Sequence, residues 1–350
     1  MSRSERLEVA VTGCGWELPA LGNPVDLARA LADSAVSATP FAPEEKLGKK
    51  GLRYKEPATL MSLCSAKAAL QDAGWIGADI ERLDDTQFGV VVASNTGNLG
   101  TVCAAAETIR LAHVDATTPM DLPNASSNIV AATVAIRFGL KAINLLVCSG
   151  SSASLDALIM AANAIRNGRA HRMIVVATEA DGLPLQSLLA QTGGAQVAHK
   201  PQRILEGSFA VVLEAAQHAR QRSAPIYGVL GDYAYAHADS GHPHPLRSLL
   251  ASHAGKRVYA PPSAATDLFC DPVFADAQAQ LHLGPVAARA YGSAALLQLA
   301  HYCNCRERAA AESGEQCEGA VLVAGGMWGD RRLGALVMHA PSATSGAQHS

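Results

Sequence analysis

The sequence lacks the signatures of several common protein classes. Its eight cysteines include no Cys-x-x-Cys pair of the kind that zinc and dithiol redox sites use, so we expect reduced thiols and predict no metal and no cofactor. No run of 18 apolar residues occurs, and the N-terminal segment has no apolar core of a signal peptide. The sequence therefore predicts a soluble cytoplasmic protein without a membrane span.

Charged and aromatic residues are also scarce, at 17% and 5% of the chain, and the formal net charge is only −3. Lys49, Lys50, Arg53 and Lys55 form one modest basic cluster, which we interpret as a solvated loop. A nucleic-acid-binding surface needs a stronger concentration of positive charge, so we predict no nucleic acid partner. The chain does contain 350 residues, 49% of them hydrophobic, which suffices for a large core.

The apolar residues fall into two kinds of segment, which alternate through the first half of the chain. Short runs rich in β-branched residues predict buried strands at 7–12, 88–93, 143–148, 173–177 and 210–214. Longer alanine-rich stretches predict helices at 60–73, 99–111, 126–138 and 152–167, the last with Gly168 as its C-cap. This alternation indicates an α/β fold.

A polar stretch at 217–225 is typical of a surface connection, and the pattern restarts after it. Strands are predicted at 226–235, 257–260, 320–325 and 334–339, with a long helix at 285–303. We therefore predict two related α/β halves, residues 1–216 and 225–340, although no self-similarity proves an internal repeat. The small polar residues 341–350 form a tail that we expect to be disordered.

Segment 144–158 has the arrangement by which folds present a nucleophile. An apolar strand runs through the small residues around Ser151 into a helix, whose N-terminus supplies backbone N–H groups and the positive end of its dipole. A serine nucleophile would need a general base, and the sequence identifies none. The alternative, which we favour, is that Ser151 fills the turn and caps the helix.

The spacing of residues around Ser151 resembles that of the β-ketoacyl synthase branch of the thiolase fold. In that family an Asn stands seven residues before the nucleophilic Cys, a Gly seventeen after it and a Glu twenty-eight after it. Asn144, Gly168 and Glu179 occupy these positions relative to Ser151 without a gap. Segments 90–97, 127–140 and 206–214 resemble further motifs of the family, so the resemblance covers the first 214 residues well and the second half weakly.

This resemblance implies a thiolase-like α/β fold of two five-stranded halves with a layered α-β-α-β-α architecture. It also implies a catalytic set of one Cys thiolate and two histidines. Ser151 replaces the Cys here, and Pro261 and Val286, which align with the histidines, cannot take over their hydrogen bonds. His282 precedes the second position and we assign it no role. Cys148 is expected to be a small core residue, because moving it into register would break the spacings.

Loss of the nucleophile on an intact scaffold is typical of the chain-length factor, the subunit that pairs with an active ketosynthase in type II polyketide and aryl polyene systems. The stretch from Ser151 to Leu158 resembles that subunit. The resemblance implies a heterodimer with a ketosynthase or a homodimer, paired through the strand before Ser151, and contact with acyl carrier protein through the complex. We place these residues at the interface or along the acyl tunnel: Thr101, Cys103, Ala104, Asn128, Leu145, Leu146, Val147 and Asp156.

Two other functions are compatible with the same residues. One is a Ser151-dependent acyltransferase or thioester hydrolase built on the ketosynthase scaffold. The other is a homodimeric acyl-binding protein. The small side chains around Thr101 and Ala104 also have two explanations, since they suit an open acyl channel and close helix packing equally well.

Overall fold

The computed structural model describes residues 7–22, 24–33, 40–77, 81–191, 203–237, 245–253, 255–260, 283, 289–312, 318–326, 330 and 332–341. Within these ranges the chain forms nine strands: β1 (Val9–Glu17), β2 (Phe88–Ala93), β3 (Asn144–Val147), β4 (Arg172–Glu179), β5 (Gly207–Ala215), β6 (Gly228–His237), β7 (Arg257–Tyr259), β8 (Ala320–Gly325) and β9 (Arg332–His339). The same ranges hold ten α-helices: α1 (Leu27–Asp33), α2 (Pro43–Leu47), α3 (Pro57–Asp72), α4 (Leu99–Ala112), α5 (Ile129–Phe138), α6 (Ala153–Arg166), α7 (Leu183–Gln191), α8 (Ala216–Gln221), α9 (Pro245–Ser252) and α10 (Ala294–Glu312).

Each strand predicted from the sequence is present, and so are the helices of the first half, with ends displaced by a few residues. The helix predicted at 285–303 is displaced further, because a 3-10 turn over Tyr291–Ser293 precedes α10, which runs from Ala294 to Glu312. Residues 285–288 of that prediction lie outside the described residues. The prediction of a surface connection at 217–225 is wrong in part. Its first residues belong to α8, because Ala216 and Ala219 lie one helical turn apart and both are buried against Ala10 of β1.

The nine strands form one hydrogen-bonded sheet in the order β3-β2-β4-β5-β1-β6-β9-β8-β7. In the first half β2 is parallel to β4, β4 is antiparallel to β5, and β5 is antiparallel to β1. In the second half β7 is parallel to β8, β8 is antiparallel to β9, and β9 is antiparallel to β6. The two series are the same, so the second half repeats four strands of the first. The halves join where β1 pairs with β6.

Two central helices, α6 and α10, pack against each other and against strands of both halves. Their apolar side chains share one cluster with Val175 and Phe209 of the first half and Leu322 and Leu336 of the second, all essentially inaccessible to solvent. Burial of each such large side chain contributes about 1.5–3 kcal/mol. Because α3 and α5 cover the opposite face of the first half and α9 covers that of the second, the predicted layered architecture is confirmed.

Helix α6 is rich in small residues because it is packed nearly all round. Eleven of its fourteen residues are buried, which excludes long polar side chains from most positions. The helix ends at Arg166, where the Gly168 N–H donates to the Ile165 carbonyl and the Arg169 N–H donates to the Ala164 carbonyl. Gly168 therefore closes the helix as predicted. The opposite end of α6, beside Ser151, is the part of the fold that concerns function.

Candidate functional site

The site is the turn that joins β3 to α6. Strand β3 pairs in parallel with β2, and a 3-10 turn over Gly150–Ser152 follows it and leads directly into α6. Gly150 has a φ of +68°, a conformation in which a side chain would be strained. Ser151 and Ser152 are completely buried at the helix N-terminus. The predicted strand, turn and helix around Ser151 are therefore present.

Ser151 has an acidic partner from the other half of the protein. Its Oγ donates to Oδ2 of Asp330 at 2.7 Å, and Asp330 is held in turn by the backbone N–H of Arg332, which donates to Oδ1 at 3.0 Å. The N-cap position of α6 is taken by Ser152, so the expectation that Ser151 caps the helix is wrong. A residue 179 positions away, rather than the nearby helix end, sets the direction of this hydroxyl.

A second carboxyl group, that of Glu179 at the end of β4, lies buried on another side of the turn. It accepts hydrogen bonds from the backbone and side chains of Asn95 and Thr96, which follow β2. Asn95 also exchanges two 3.0 Å hydrogen bonds with the backbone of Gly150. Glu179 thus fixes Asn95, and Asn95 fixes the turn that carries Ser151. Burial raises the pKa of Glu179 to about 7, although the donors favour its ionised form.

The turn before α10 closes the site from the second half. A Cβ atom at Gly292 would lie 2.1 Å from Asn95 Nδ2 and 2.4 Å from Glu179 Oε1, so only glycine fits there. The preceding residue, Tyr291, is half-buried and directs its hydroxyl towards Gly150. Burial, together with the nearby charges of Glu179 and Asp330, raises the pKa of Tyr291 to about 12. Its hydroxyl therefore remains protonated at neutral pH.

Asp156, one turn into α6, connects the site to β6 and β9. Four side chains donate to its carboxylate: Ser149, Ser152, Tyr235 and Arg332. The Arg332 guanidinium binds both carboxylate oxygens at 3.1 Å and lies 4.1 Å above the centre of the Tyr235 ring. This bidentate contact and the tyrosine hydroxyl, whose pKa is raised by burial and by Asp156, hold the end of α6 against the second half.

The structure assigns only some of the other predicted positions to this site. Cys148 was expected in the core, but β3 ends one residue before it and Cys148 is exposed, with its Sγ 3.0 Å from the Ser94 carbonyl. Although the residue is exposed overall, partial burial of its thiol, together with the charge of Glu179, raises the pKa of that thiol. Pro261, Val286 and His282 lie outside the described residues.

The residues predicted to line a tunnel lie on an open surface of this chain. Thr101 and Cys103 of α4 are partly exposed, and Ala104 and Asn128 are exposed. Thr101 and Ala104 border a small cavity of about 140 Å³ between α4 and the segment after it. Asn128 accepts a hydrogen bond from Ser126, at 2.5 Å. A closed channel along these residues would need a wall supplied by another chain.

Strand β3 lies at the edge of the sheet, as predicted. It pairs with β2 on one side, and within the described part of the chain no strand covers its other side. Asn144 and Leu145 are exposed, while Leu146 and Val147 are half-buried. Helix α4 also has no buried residue and exposes Val102, Ile109 and Leu111. The edge of β3 and the surface of α4 each leave apolar side chains open to solvent.

Sequence reasoning missed most of the side chains that surround Ser151. Glu179 was used only as a spacing landmark, Asn95 lay unremarked within segment 90–97, and Asp330, Arg332, Tyr235 and Tyr291 were not singled out. One signal was available, since Asp330 follows the pair Gly325-Gly326 in the turn before the closing strand β9. Nothing local indicated that its carboxylate would reach a serine in the first half.

The side chains around Ser151 support only a limited range of chemistry. Asp330 can accept the proton of Ser151, but a carboxylate is a much weaker base than an imidazole. Among the described residues no group of three or more His, Cys, Asp or Glu side chains is arranged to hold a metal ion. Nor does any described helix have the length and hydrophobicity that a membrane span requires.

Two related α/β halves, stacked in five layers with a nucleophile-type turn at the start of a central helix, define a thiolase-fold protein. Residues 46–207 match the family model of the β-ketoacyl synthase N-terminal domain. Over this range, somewhat less than half of its length, the chain is similar to the β-ketoacyl synthases. The resemblance inferred from the spacing around Ser151 is thereby confirmed.

Relatives and solved structures agree with this placement. The chain is 30% identical over 207 residues to a putative mitochondrial 3-oxoacyl-[acyl-carrier-protein] synthase of Schizosaccharomyces pombe, with 55% of this chain and 48% of that protein covered. It is 26% identical over 201 residues to the chloroplastic 3-oxoacyl-[acyl-carrier-protein] synthase I of Arabidopsis thaliana, with 53% and 42% covered. The chain thus spans about half the length of these relatives.

Among solved structures, the ishigamide ketosynthase/chain length factor has the same fold. It superposes with a TM-score of 0.71 at 19% identity, covering 95% of this chain and 99% of that one. At this identity the similarity extends to the fold alone.

Proposed function

We propose that this chain is a non-catalytic ketosynthase-like subunit that pairs with an active β-ketoacyl synthase and shapes the channel for the growing acyl chain, as a chain-length factor does. The observation that carries the proposal is the 2.7 Å hydrogen bond from Ser151 to Asp330. It sets an acidic side chain beside the position where a condensing enzyme has its nucleophile.

The chemistry of condensation explains why this contact matters. A condensing nucleophile must become an anion, and donors must then stabilise the negative charge that develops on the thioester oxygen. A carboxylate at hydrogen-bond distance opposes both, because like charges repel most strongly in a buried site. Asp156 and its four donors further restrain the turn, so that Ser151 has little freedom to reorient. The geometry favours a structural turn over a nucleophile.

The apolar surface of β3 and α4 supports the choice of partner. An edge strand that exposes Leu145 is a liability in a monomer, and so is a helix with no buried residue. A second thiolase-fold chain could pair with the edge and cover the helix. The exposed positions of Thr101, Ala104 and Asn128 would then become the wall of a channel shared by two chains. Acyl carrier protein would act through the complex, which we place in the cytoplasm.

Co-expression with an active ketosynthase tests the proposal. We expect the two chains to co-purify as a one-to-one complex, the acyl adduct to form only on the ketosynthase, and Ser151→Ala to leave complex formation and product length unchanged. Omission of this chain should alter the product length. Purification of this chain as a monomer, together with unchanged products when it is omitted, would contradict the proposal.

The Ser151–Asp330 contact is also what an alternative function would require, namely a Ser-dependent acyltransferase or thioester hydrolase in which Asp330 takes the proton of Ser151. Incubation with acyl carrier protein thioesters, followed by intact-mass measurement, separates the two. An acyl adduct on this chain that is absent from both Ser151→Ala and Asp330→Asn would establish the alternative. If light scattering shows that two copies of this chain associate with each other even when the ketosynthase is present, the result would favour a homodimeric acyl-binding protein instead.

A further inference from the structure

A second pocket lies on the outer layer of the first half, away from the central helices that carry Ser151. It has a volume of about 430 Å³, within the range of small-molecule sites. Buried Leu63 of α3 and buried Thr133 of α5 form its floor. Both residues belong to the layer that covers the first half of the sheet, so the pocket is separate from the turn between β3 and α6.

Positive charge is concentrated in this pocket. Its lining includes four cationic side chains, Lys50, Lys55, Arg82 and Arg137, and one anionic side chain, Glu81. This contrasts with the net charge of −3 for the whole chain. The two lysines belong to the basic cluster that the sequence suggested was a solvated loop. Lys55 is instead half-buried.

Three of the four cations lack an acidic partner. Arg82 forms an ion pair with Asp84, but within the described residues Lys50, Lys55 and Arg137 form no ion pair. Arg137 uses one amino group to donate to the Leu47 carbonyl at 2.7 Å. Burial lowers the pKa of Lys55, and no neighbouring carboxylate offsets it. A half-buried ammonium without a counter-ion is unfavourable, and a bound anion would relieve that cost.

The lining also includes apolar side chains, and the pocket is larger than an anion requires. Leu52 and Leu63 line the inner part, and Ile136 stands at the rim with 69% of its surface exposed. A phosphate group alone would fill only a fraction of 430 Å³. The oxygens of a phosphate can accept from several ammonium and guanidinium donors at once, which a single carboxylate does less well.

We propose that this pocket binds a small phosphate ester with an apolar chain, its phosphate held by Lys50, Lys55 and Arg137 and its chain lying on Leu52 and Ile136. The site is independent of the function proposed above, since it uses none of the residues around Ser151.

Calorimetric titration with hexyl phosphate, inorganic phosphate and hexanol tests the proposal. Hexyl phosphate should bind saturably with one-to-one stoichiometry, at least tenfold more tightly than either other compound. Lys55→Gln should weaken its binding at least tenfold, since a charge-assisted hydrogen bond is lost. Ile136→Ser should weaken the binding of hexyl phosphate and leave the binding of inorganic phosphate unchanged.

Lys49→Gln is the matched control, because Lys49 belongs to the same basic cluster as Lys55, carries the same charge and does not line the pocket. The affinity of this variant for hexyl phosphate should stay within twofold of that of the parent chain. Lys55→Met is a second variant that removes the half-buried charge. We expect this substitution to raise the melting temperature of the protein and to abolish the binding of hexyl phosphate. Absence of saturable binding, equal affinity for hexyl phosphate and inorganic phosphate, or an equal loss in Lys49→Gln would overturn the proposal.

Discussion

At the scale of single residues, the site is organised by carboxyl groups that accept many hydrogen bonds. Glu179 accepts from Asn95 and Thr96, and Asp156 accepts from four side chains that include Arg332. Each fixes a neighbour, Glu179 through Asn95 and Asp156 through the serines of the turn. These polar contacts hold the turn in one conformation.

Replacement of Glu179 should change how stability depends on pH. The pKa of Glu179 rises from 4.5 to about 7 in the folded chain, so its contribution is present below pH 4.5 and is lost as pH rises through 7. We expect the free energy of unfolding to fall by roughly 3 kcal/mol over this range. Glu179→Gln should remove this fall.

Urea denaturation at a series of pH values measures the effect of this substitution. Glu107→Gln is the control, since Glu107 is exposed on α4 and pairs only with Arg110. Its pH profile between 5 and 8 should match that of the parent chain. An unchanged profile for Glu179→Gln would show that the carboxyl group is ionised throughout.

At the scale of elements, sequence and structure agree best where a segment is buried on all sides. Strands β2 and β8 and helix α6 have continuous apolar or small-residue patterns, and the bounds of β2 and β8 were predicted to the residue. The 3-10 turn at Tyr291–Ser293 was not predicted, because its conformation depends on the fit of Gly292 against Asn95 and Glu179. Local pattern therefore predicts these elements but not the contacts between their ends.

The edge strand β3 gives a test at the same scale. Leu145→Asp places a charge on the exposed edge, and we expect it to weaken association with the ketosynthase at least tenfold because a buried charge without a partner is costly. Sedimentation or light scattering of the mixture measures the effect. Val25→Asp is the control, since Val25 is 90% exposed and distant in sequence from β3 and α4. Equal complex formation by all three chains would exclude β3 from the interface.

At the scale of the whole molecule, one tyrosine hydroxyl links carboxyl groups of the two halves. The Tyr227 hydroxyl lies 2.9 Å from both oxygens of Asp72 on α3 and 2.6 Å from Glu307 on α10. Burial raises the pKa of Asp72, and the charge of Glu307 adds to this effect.

Asp72→Asn should therefore reduce the pH sensitivity of folding. A raised pKa in the folded state means that the contribution of Asp72 is present near pH 4 and declines as pH rises through its folded-state pKa. Thermal unfolding across this range should show a shallower decline in the variant. Asp84→Asn should act in the opposite direction, because Lys141 and Arg82 lower the pKa of Asp84 and its contribution is lost on acidification. An identical decline in Asp72→Asn and the parent would contradict a raised pKa of Asp72 in the folded chain.

The two α/β halves were predictable from the sequence, whereas the side-chain contacts between them were not. The alternation of apolar strands and alanine-rich helices indicated two α/β units, and the spacing from Ser151 to Glu179 indicated their family. The links across the halves, Ser151 to Asp330 and Asp156 to Arg332, join residues more than 170 positions apart. Such pairs leave no periodic pattern, because each partner is a single polar residue in a turn or at a strand end.

The continuous sheet has a consequence for the covalent chain itself. Antiparallel pairing of β1 with β6 and the packing of α6 on α10 tie the halves together by hydrogen bonds and apolar contact, whatever the state of the peptide between α8 and β6. That connection, residues 222–227, is short. Two fragments cut there and expressed from separate messages should therefore reassemble into one particle. Such reassembly would mean that the two halves associate without a covalent link between them.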